Sequence, residues 1–209
     1  MYQDILTIAV VTVFAFFAIY WMWFQGEVDG SRLIAKNSMK QQKFNIILVL
    51  VAAFIVKAIL AVKNEGYSVD ITCFRSWSET VFTGGLSHFY EGDVTDYPPG
   101  YMLVLWLVAA IRHLFNIDNY STTGLFMIKL FPMLFDLAAA YLIYVMAKKR
   151  FSEGMSLMLS TLYALNPAVV IDSSVWGQVD GVLCCMVLLT CYLFMEEKRI
   201  LAYFAFCAG

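Results

Sequence analysis

"FNIILVLVAAFIVKAILAV", residues 44–62, decides what kind of molecule this is. The run is apolar all round and carries a single charge, Lys57. A helix of this length nearly crosses a hydrocarbon layer of about 30 Å, whereas a soluble surface helix would be apolar on one stripe only. Further apolar segments fall near 5–24, 101–115, 125–147, 155–173 and 181–195. The whole chain of 209 residues is 61% hydrophobic and only 14% charged, with a mean hydropathy of +0.72. That composition excludes an ordinary soluble domain and implies an all-α, polytopic transmembrane helix bundle. A net charge of −2 gives no reason to expect nucleic acid as a partner. Cys184, Cys185, Cys191 and Cys207 lie in apolar segments and only Cys73 falls in a loop, so the cysteines imply no disulfide framework.

The sequence divides at about residue 43. Residues 1–43 read as a retained transmembrane helix, 5–24, followed by a basic cytoplasmic linker. No basic stretch precedes that helix and no small-residue cleavage site follows it. Tyr20, Trp21 and Trp23 give it an interfacial aromatic belt. Residues 44–209 form the second unit. Its last stretch, "RILAYFAFCAG", starts a helix that stops after about half a bilayer's worth of residues, so either the last element docks on a partner or, the favoured expectation, the chain is part of a longer protein.

Basic residues set the layout. Arg32, Lys36, Lys40 and Lys43, then Lys148 to Arg150, then Lys198 and Arg199, all belong in the cytoplasm by the positive-inside rule. Between 62 and 148 the chain must therefore cross only once more, and 125–147 is long enough to do so. Segment 101–115 contains Arg112 and His113 and reaches about 22 Å as a helix, which fits a re-entrant or interfacial element; the alternative, that it spans, would invert everything after it. Residues 63–124 and the turn 173–181 then share the extracytoplasmic side.

Two polar constellations face that side. The first is "YSVDITCFRSWSETVF", 67–82, with apolar residues at 71, 74, 77, 81 and 82, the spacing of one helix face. It predicts an interfacial helix opened by Asp70, a turn over "TGGLSHFY", 83–90, and the stiff segment "DVTDYPPGYM", 93–102. Asp70 serves either as a helix-start residue favoured by the dipole or as a general base at the membrane surface. Pro98 and Pro99 start the next helix and lower the conformational entropy of Asp96, Tyr97 and Tyr101 around them. The second constellation is "NPAVVIDSSVWGQVDG", 166–181. Pro167 breaks or kinks a span, Trp176 fits an aromatic belt or a sugar platform, and Asp172, Gln178 and Asp180 offer polar contacts to sugar hydroxyls. No HxxE, DxD or CxxC spacing supports a metal site.

Three charges lie inside apolar runs: Lys57, Lys129 and Asp136. The lysines either snorkel to the outer interface or clamp a lipid phosphate. Asp136, about 10 Å along its helix from Lys129, requires a partner on a neighbouring helix.

The segments "VDITCFRSWSETVFTGGLSHFY", "DYPPGYMLVLW" and "LYALNPAVVIDSSVWGQVDGV", in order across about residues 44–195, resemble the GT-C integral-membrane glycosyltransferases. The group most resembled is the bacterial relatives of the glycosylphosphatidylinositol mannosyltransferases. The resemblance implies a protein of the bacterial cell membrane that uses a polyprenyl-phosphate-linked, mannose-like sugar. It also implies transfer outside the cytoplasm to a lipid or glycan acceptor, without a metal or other cofactor. It assigns Asp70 as catalytic base and Tyr97 to Gly100 as cavity floor, with Trp176, Gly177, Gln178 and Asp180 as donor or acceptor contacts. Asp96 and Tyr101 join the substrate-binding candidates, and Arg75, Lys57 and Lys129 are the candidates for the donor phosphate. Phosphate leaves readily, so positioning and a base suffice, and attack opposite the leaving group predicts inversion. Two non-enzymatic readings stand beside this one: a transporter or flippase subunit whose buried charges mark a pathway, and an inert membrane assembly module.

Overall fold

The computed structural model describes residues 39–92 and 97–208. The helix expected at 5–24, its aromatic belt, and the acids Asp93 and Asp96 lie outside the described residues. Within them the chain is all helix, without a strand. In order the elements are α1 (Met39–Lys63), α2 (Ser68–Gly92), α3 (Pro99–Leu114), α4 (Thr122–Ala147), α5 (Glu153–Ala164), α6 (Pro167–Val170) running into a π-helical turn (Ile171–Trp176), α7 (Asp180–Met195) and α8 (Arg199–Ala208). α1 thus begins inside the stretch that the sequence marks as linker.

Two helices are long and apolar enough to cross a membrane, Lys43–Lys63 and Thr122–Ala147. A third crossing results if α5 and the Pro167–Trp176 segment, bent by 47°, make one broken span. Pro167 sits at the first helical position after the break, and Asn166 caps the new helix by accepting from the Ala168 N–H. α3 and α7, each 16 residues, are shorter than a straight span requires. For α3 that matches the re-entrant or interfacial reading. α7 nevertheless runs from the turn after Trp176 to the end of the bundle where Lys149 meets Glu196.

α1, α4 and α5 pack through small residues. Ala53, Ala140 and Ala164 are completely buried where the three helices meet, and the absence of larger side chains lets the backbones approach. Ile46, Tyr144 and Leu157 close the same seam at its other end. The opposite face of α1 leaves Ile47, Leu48, Val51, Ile55, Ile59 and Val62 exposed, which is where lipid would contact it. At the Tyr144 end the loops after α4 and α7 come together through an ion pair between Lys149 and Glu196. The two basic loops that sequence puts on one side therefore do share one end of the bundle.

A second core joins α2, α3 and α4 around Phe74, Val81, Phe89, Tyr101, Leu105 and Ile128. The face of α2 expected to be apolar is the buried one, with Ile71, Phe74 and Val81 inside. The reversal expected over 83–90 is concentrated at Gly85 (φ 75, ψ 170), with helical residues on both sides. Only glycine takes that φ without strain. Beyond it the chain doubles back, so that Phe89 packs edge-on against Trp77 at 6.4 Å. Arg112, buried on α3, pairs with Glu79 on α2, and His113 meets the other carboxylate oxygen at 2.9 Å. Burial by itself raises the Glu79 carboxyl, but the hydrogen bonds with His113 and Arg112 outweigh it and hold the group below its ordinary value.

α7 packs against α4 at Gly181. A Cβ there would collide with the Asp136 Oδ1 atom, and Asp136 is itself fixed by a buried ion pair. Gly181→Ala is therefore expected to push α7 off α4 and cost about 1–3 kcal/mol by overpacking. Thermal unfolding of the detergent-solubilised protein measures this, and an unchanged midpoint would show that the contact yields freely.

Candidate active site at one end of the bundle

The two constellations that lie about a hundred residues apart in sequence meet at the end where α1 and the π-helical turn finish. Asp70 is in the first turn of α2, half-buried. Its Oδ2 atom accepts from the Trp176 indole Nε1–H at 2.9 Å and from the Gln178 amide Nε2–H at 2.6 Å. The Gln178 Oε1 atom in turn accepts from the Tyr97 hydroxyl at 3.3 Å. Among the described residues Asp70 Oδ1 accepts no hydrogen bond. One oxygen of the carboxylate is thus held in orientation while the other stays open.

Local backbone chemistry produces this meeting. The π-helical turn leaves the Asp172 carbonyl accepting from both Gly177 N–H and Gln178 N–H at 2.9 Å. Gly177 then takes φ 90, a left-handed conformation that ends the helix and turns the chain toward α7. Trp176, 47% exposed, is presented at the rim. The loop from α1 to α2 is docked on this turn: Tyr67 N–H donates to the Trp176 carbonyl at 2.8 Å, and the two rings lie 5.2 Å apart.

Tyr97 links the network to a cleft of about 200 Å³ lined by Tyr97, Pro98, Tyr101, Val179, Asp180 and Leu183, among others. Pro98 caps α3 in an extended conformation and Pro99 opens it, which is the helix start read from the paired prolines. Phe74 holds Tyr97 and Tyr101 edge-on at 5.8 and 5.7 Å. The Tyr101 hydroxyl is buried and finds no partner among the described residues. Burial, with Tyr97 adding to it, pushes that hydroxyl above its ordinary value, so it remains a donor. Asp180, exposed, stands at the start of α7 on the wall of the cleft.

The three cations separate. Arg75 follows Asp70 on α2 and is half-buried, its guanidinium carbon 5.1 Å from the centre of the Tyr120 ring. Its Nε atom is buried without a partner among the described residues, and no carboxylate pairs with it there. The lysines correct both sequence expectations. Neither snorkels, because both are fully buried. Neither is free for a phosphate, because each ammonium spends its three N–H bonds on the protein. Lys57 donates to Asp136 Oδ2 at 2.8 Å, the Val169 carbonyl at 3.1 Å and Ser173 Oγ at 3.1 Å. Lys129 donates to the carbonyls of Asn64, Ser174 and Val175 at 2.8, 3.0 and 3.3 Å. Asp136 thereby has its neighbouring-helix partner, Lys57 on α1.

Asn64 and Tyr67 were missed in the sequence, because their contribution runs through the backbone. The turn-like "NEG" after α1 was the available signal. Among the described residues no group of His, Cys, Asp and Glu is arranged to hold a metal ion.

Fold and site together define a helical, membrane-associated protein with an oriented carboxylate, an indole and an amide at one end of the bundle. No family model and no solved structure matches the chain. Among curated proteins it is similar to GPI mannosyltransferase 1 of Saccharomyces cerevisiae, at 27% identity over 128 residues. Those residues are 58% of this chain and 29% of the yeast protein, so the chain spans less than a third of that relative's length. The resemblance read from the three motifs and this comparison point to the same group of proteins.

Proposed function

We propose that this chain carries the base-bearing part of the active site of a membrane glycosyltransferase. In this reading a mannose-like sugar passes from a polyprenyl-phosphate donor to a hydroxyl of a lipid or glycan acceptor, on the extracytoplasmic face of a bacterial cell membrane. The observation that carries the reading is the state of Asp70: one oxygen fixed by Trp176 and Gln178, the other free of hydrogen bonds among the described residues. That arrangement suits a general base, which needs a fixed orientation and an open lone pair toward the hydroxyl it deprotonates.

The remaining roles follow from chemistry. Tyr97, Tyr101 and Asp180 present hydroxyls and a carboxylate to sugar hydroxyls in the cleft beside the network, and Asp96 is a substrate-binding candidate by its place in the sequence alone. Trp176, half exposed, offers an apolar face to a sugar ring. Arg75 keeps hydrogen-bonding capacity for the donor phosphate, since nothing acidic among the described residues neutralises it. The acceptor hydroxyl, deprotonated by Asp70, attacks the anomeric carbon as the C–O bond to the lipid phosphate breaks; in-line displacement inverts that centre. No metal is required, because phosphate leaves as a stabilised anion.

The test is to incubate membranes carrying the complete protein with radiolabelled polyprenyl-phosphate mannose and to extract products. A labelled glycosylated acceptor, absent from control membranes, is expected. No transfer from any polyprenyl-phosphate sugar would overturn the proposal in favour of a transport or assembly role.

A further inference from the structure

We propose that Lys129 is a positioning residue that locks the loop leading into Asp70 to the turn leading into Trp176 and Gln178. Its ammonium lies where two helices end. Asn64 is the first residue past α1, and Ser174 and Val175 belong to the last turn of the π-helical segment. The carbonyls of a final turn have no helical N–H to accept from, and the partial negative charge of a helix C-terminus attracts a cation. Lys129 answers both ends at once, with hydrogen bonds of 2.8 Å to Asn64 and of 3.0 and 3.3 Å to Ser174 and Val175. The next carbonyl of the turn, that of Trp176, is taken by the Tyr67 N–H, so the backbones on either side of the ammonium are stitched directly to each other.

The side chain is confined as well as bonded. It is completely buried, and a Cβ on Gly177 would meet its Cε at 3.1 Å. A lysine suits the place because three diverging N–H donors on a slim stem reach three carbonyls, whereas the flat fork of an arginine would not. Methionine matches the stem and removes every donor. Asp70 lies only six residues past Asn64, and Trp176 one residue past Val175, so the clamp sets the separation across which the indole reaches the carboxylate. Lys129 makes no hydrogen bond to any side chain proposed to meet substrate. Lys57 differs: from α1 it bonds to the same turn at Ser173 and to Asp136 on α4, and makes no hydrogen bond to the segment between α1 and Asp70.

Only the consequence for catalysis rests on the reading of Asp70 as base; the geometry is tested without a transfer assay. In the complete protein, with the five native cysteines of this chain changed to alanine, a Tyr67→Cys/Trp176→Cys pair reports the separation of the two loops. The matching pair Phe194→Cys/Tyr203→Cys, whose rings lie 5.5 Å apart on α7 and α8, is the control. Adding Lys129→Met is expected to slow disulfide formation at 67–176 by about tenfold or more, the scale of one lost charge-assisted hydrogen bond, and to leave 194–203 unchanged. An unchanged rate at 67–176 would overturn the assignment. So would equal slowing of both pairs, which would make the lysine a general fold residue. In the otherwise unaltered protein, Lys129→Met should lower kcat with little change in KM. Loss of that kinetic effect alongside a normal cross-linking result would count against Asp70 as base and leave the clamp in place.

Discussion

Replacing Asp70 by Asn is expected to lower the rate of glycosyl transfer by about 10²–10⁴-fold, the usual worth of a general base. Asn is the informative substitution because its side-chain carbonyl can still accept from Trp176 Nε1–H and Gln178 Nε2–H, the two bonds that orient the native carboxylate. The geometry of the turn is then kept while the proton acceptor is lost. Acceptor and donor binding should change little, so the loss belongs in kcat, with KM nearly constant. Membrane insertion and the unfolding midpoint should match the parent, because Asp70 is partly exposed and carries no ion pair among the described residues. Trp176→Phe offers a graded comparison: it keeps the aromatic face and removes one of the two hydrogen bonds to Oδ2, so a smaller loss is expected. Transfer at the parental rate by Asp70→Asn would remove the base assignment, and the network would then be a structural tie between two loops.

The class of fold was legible because its cause is local. Nearly uninterrupted apolar runs at 44–62 and 125–147 leave a backbone no option but to satisfy its own hydrogen bonds as helix. The start of α3 was legible at Pro98 and Pro99, and the break before α6 at Pro167, since proline fixes φ and removes an N–H wherever it stands. The buried face of α2 followed from spacing alone. What could not be read were the pairings. Asp70 and Gln178 are 108 residues apart and Lys57 and Asp136 are 79 apart, and nothing in either member's surroundings names the other. The sequence did put Asp70 and the Trp176 turn at one end of the bundle, through the count of crossings, but a shared end is weaker than a shared hydrogen bond. The lysines were misjudged for a related reason. Snorkelling assumes that the nearest relief for a buried ammonium is water. Here protein partners were closer: the Asp136 carboxylate for Lys57, and for Lys129 the carbonyls at two helix ends, which exist only once the helices have stopped.

Breaking the ion pair at the centre of the bundle should have the largest effect on stability. Lys57 and Asp136 are 2.8 Å apart with side chains 0% and 2% exposed. Desolvating two charges is costly, and their attraction offsets the cost only while both are present. Asp136→Asn keeps the shape against Gly181 and leaves the lysine charge without its counterion. Lys57→Met keeps the stem and strands the carboxylate. Each single change is expected to cost about 3–5 kcal/mol, the range for an orphaned buried charge, and to lower the midpoint of thermal unfolding in detergent or reduce the protein recovered in membranes. The double variant Lys57→Met/Asp136→Asn removes both charges and leaves one buried amide, worth about 1–3 kcal/mol of penalty. It should therefore be more stable than either single variant. That ordering separates a structural pair from a charge relay: if the residues marked a transport pathway, losing both would be no gentler than losing one in a transport assay, and the stability cycle would show little coupling. Additive losses in the double variant would mean that the two side chains are stabilised independently, with Val169 and Ser173 rather than Asp136 as the principal partners of Lys57.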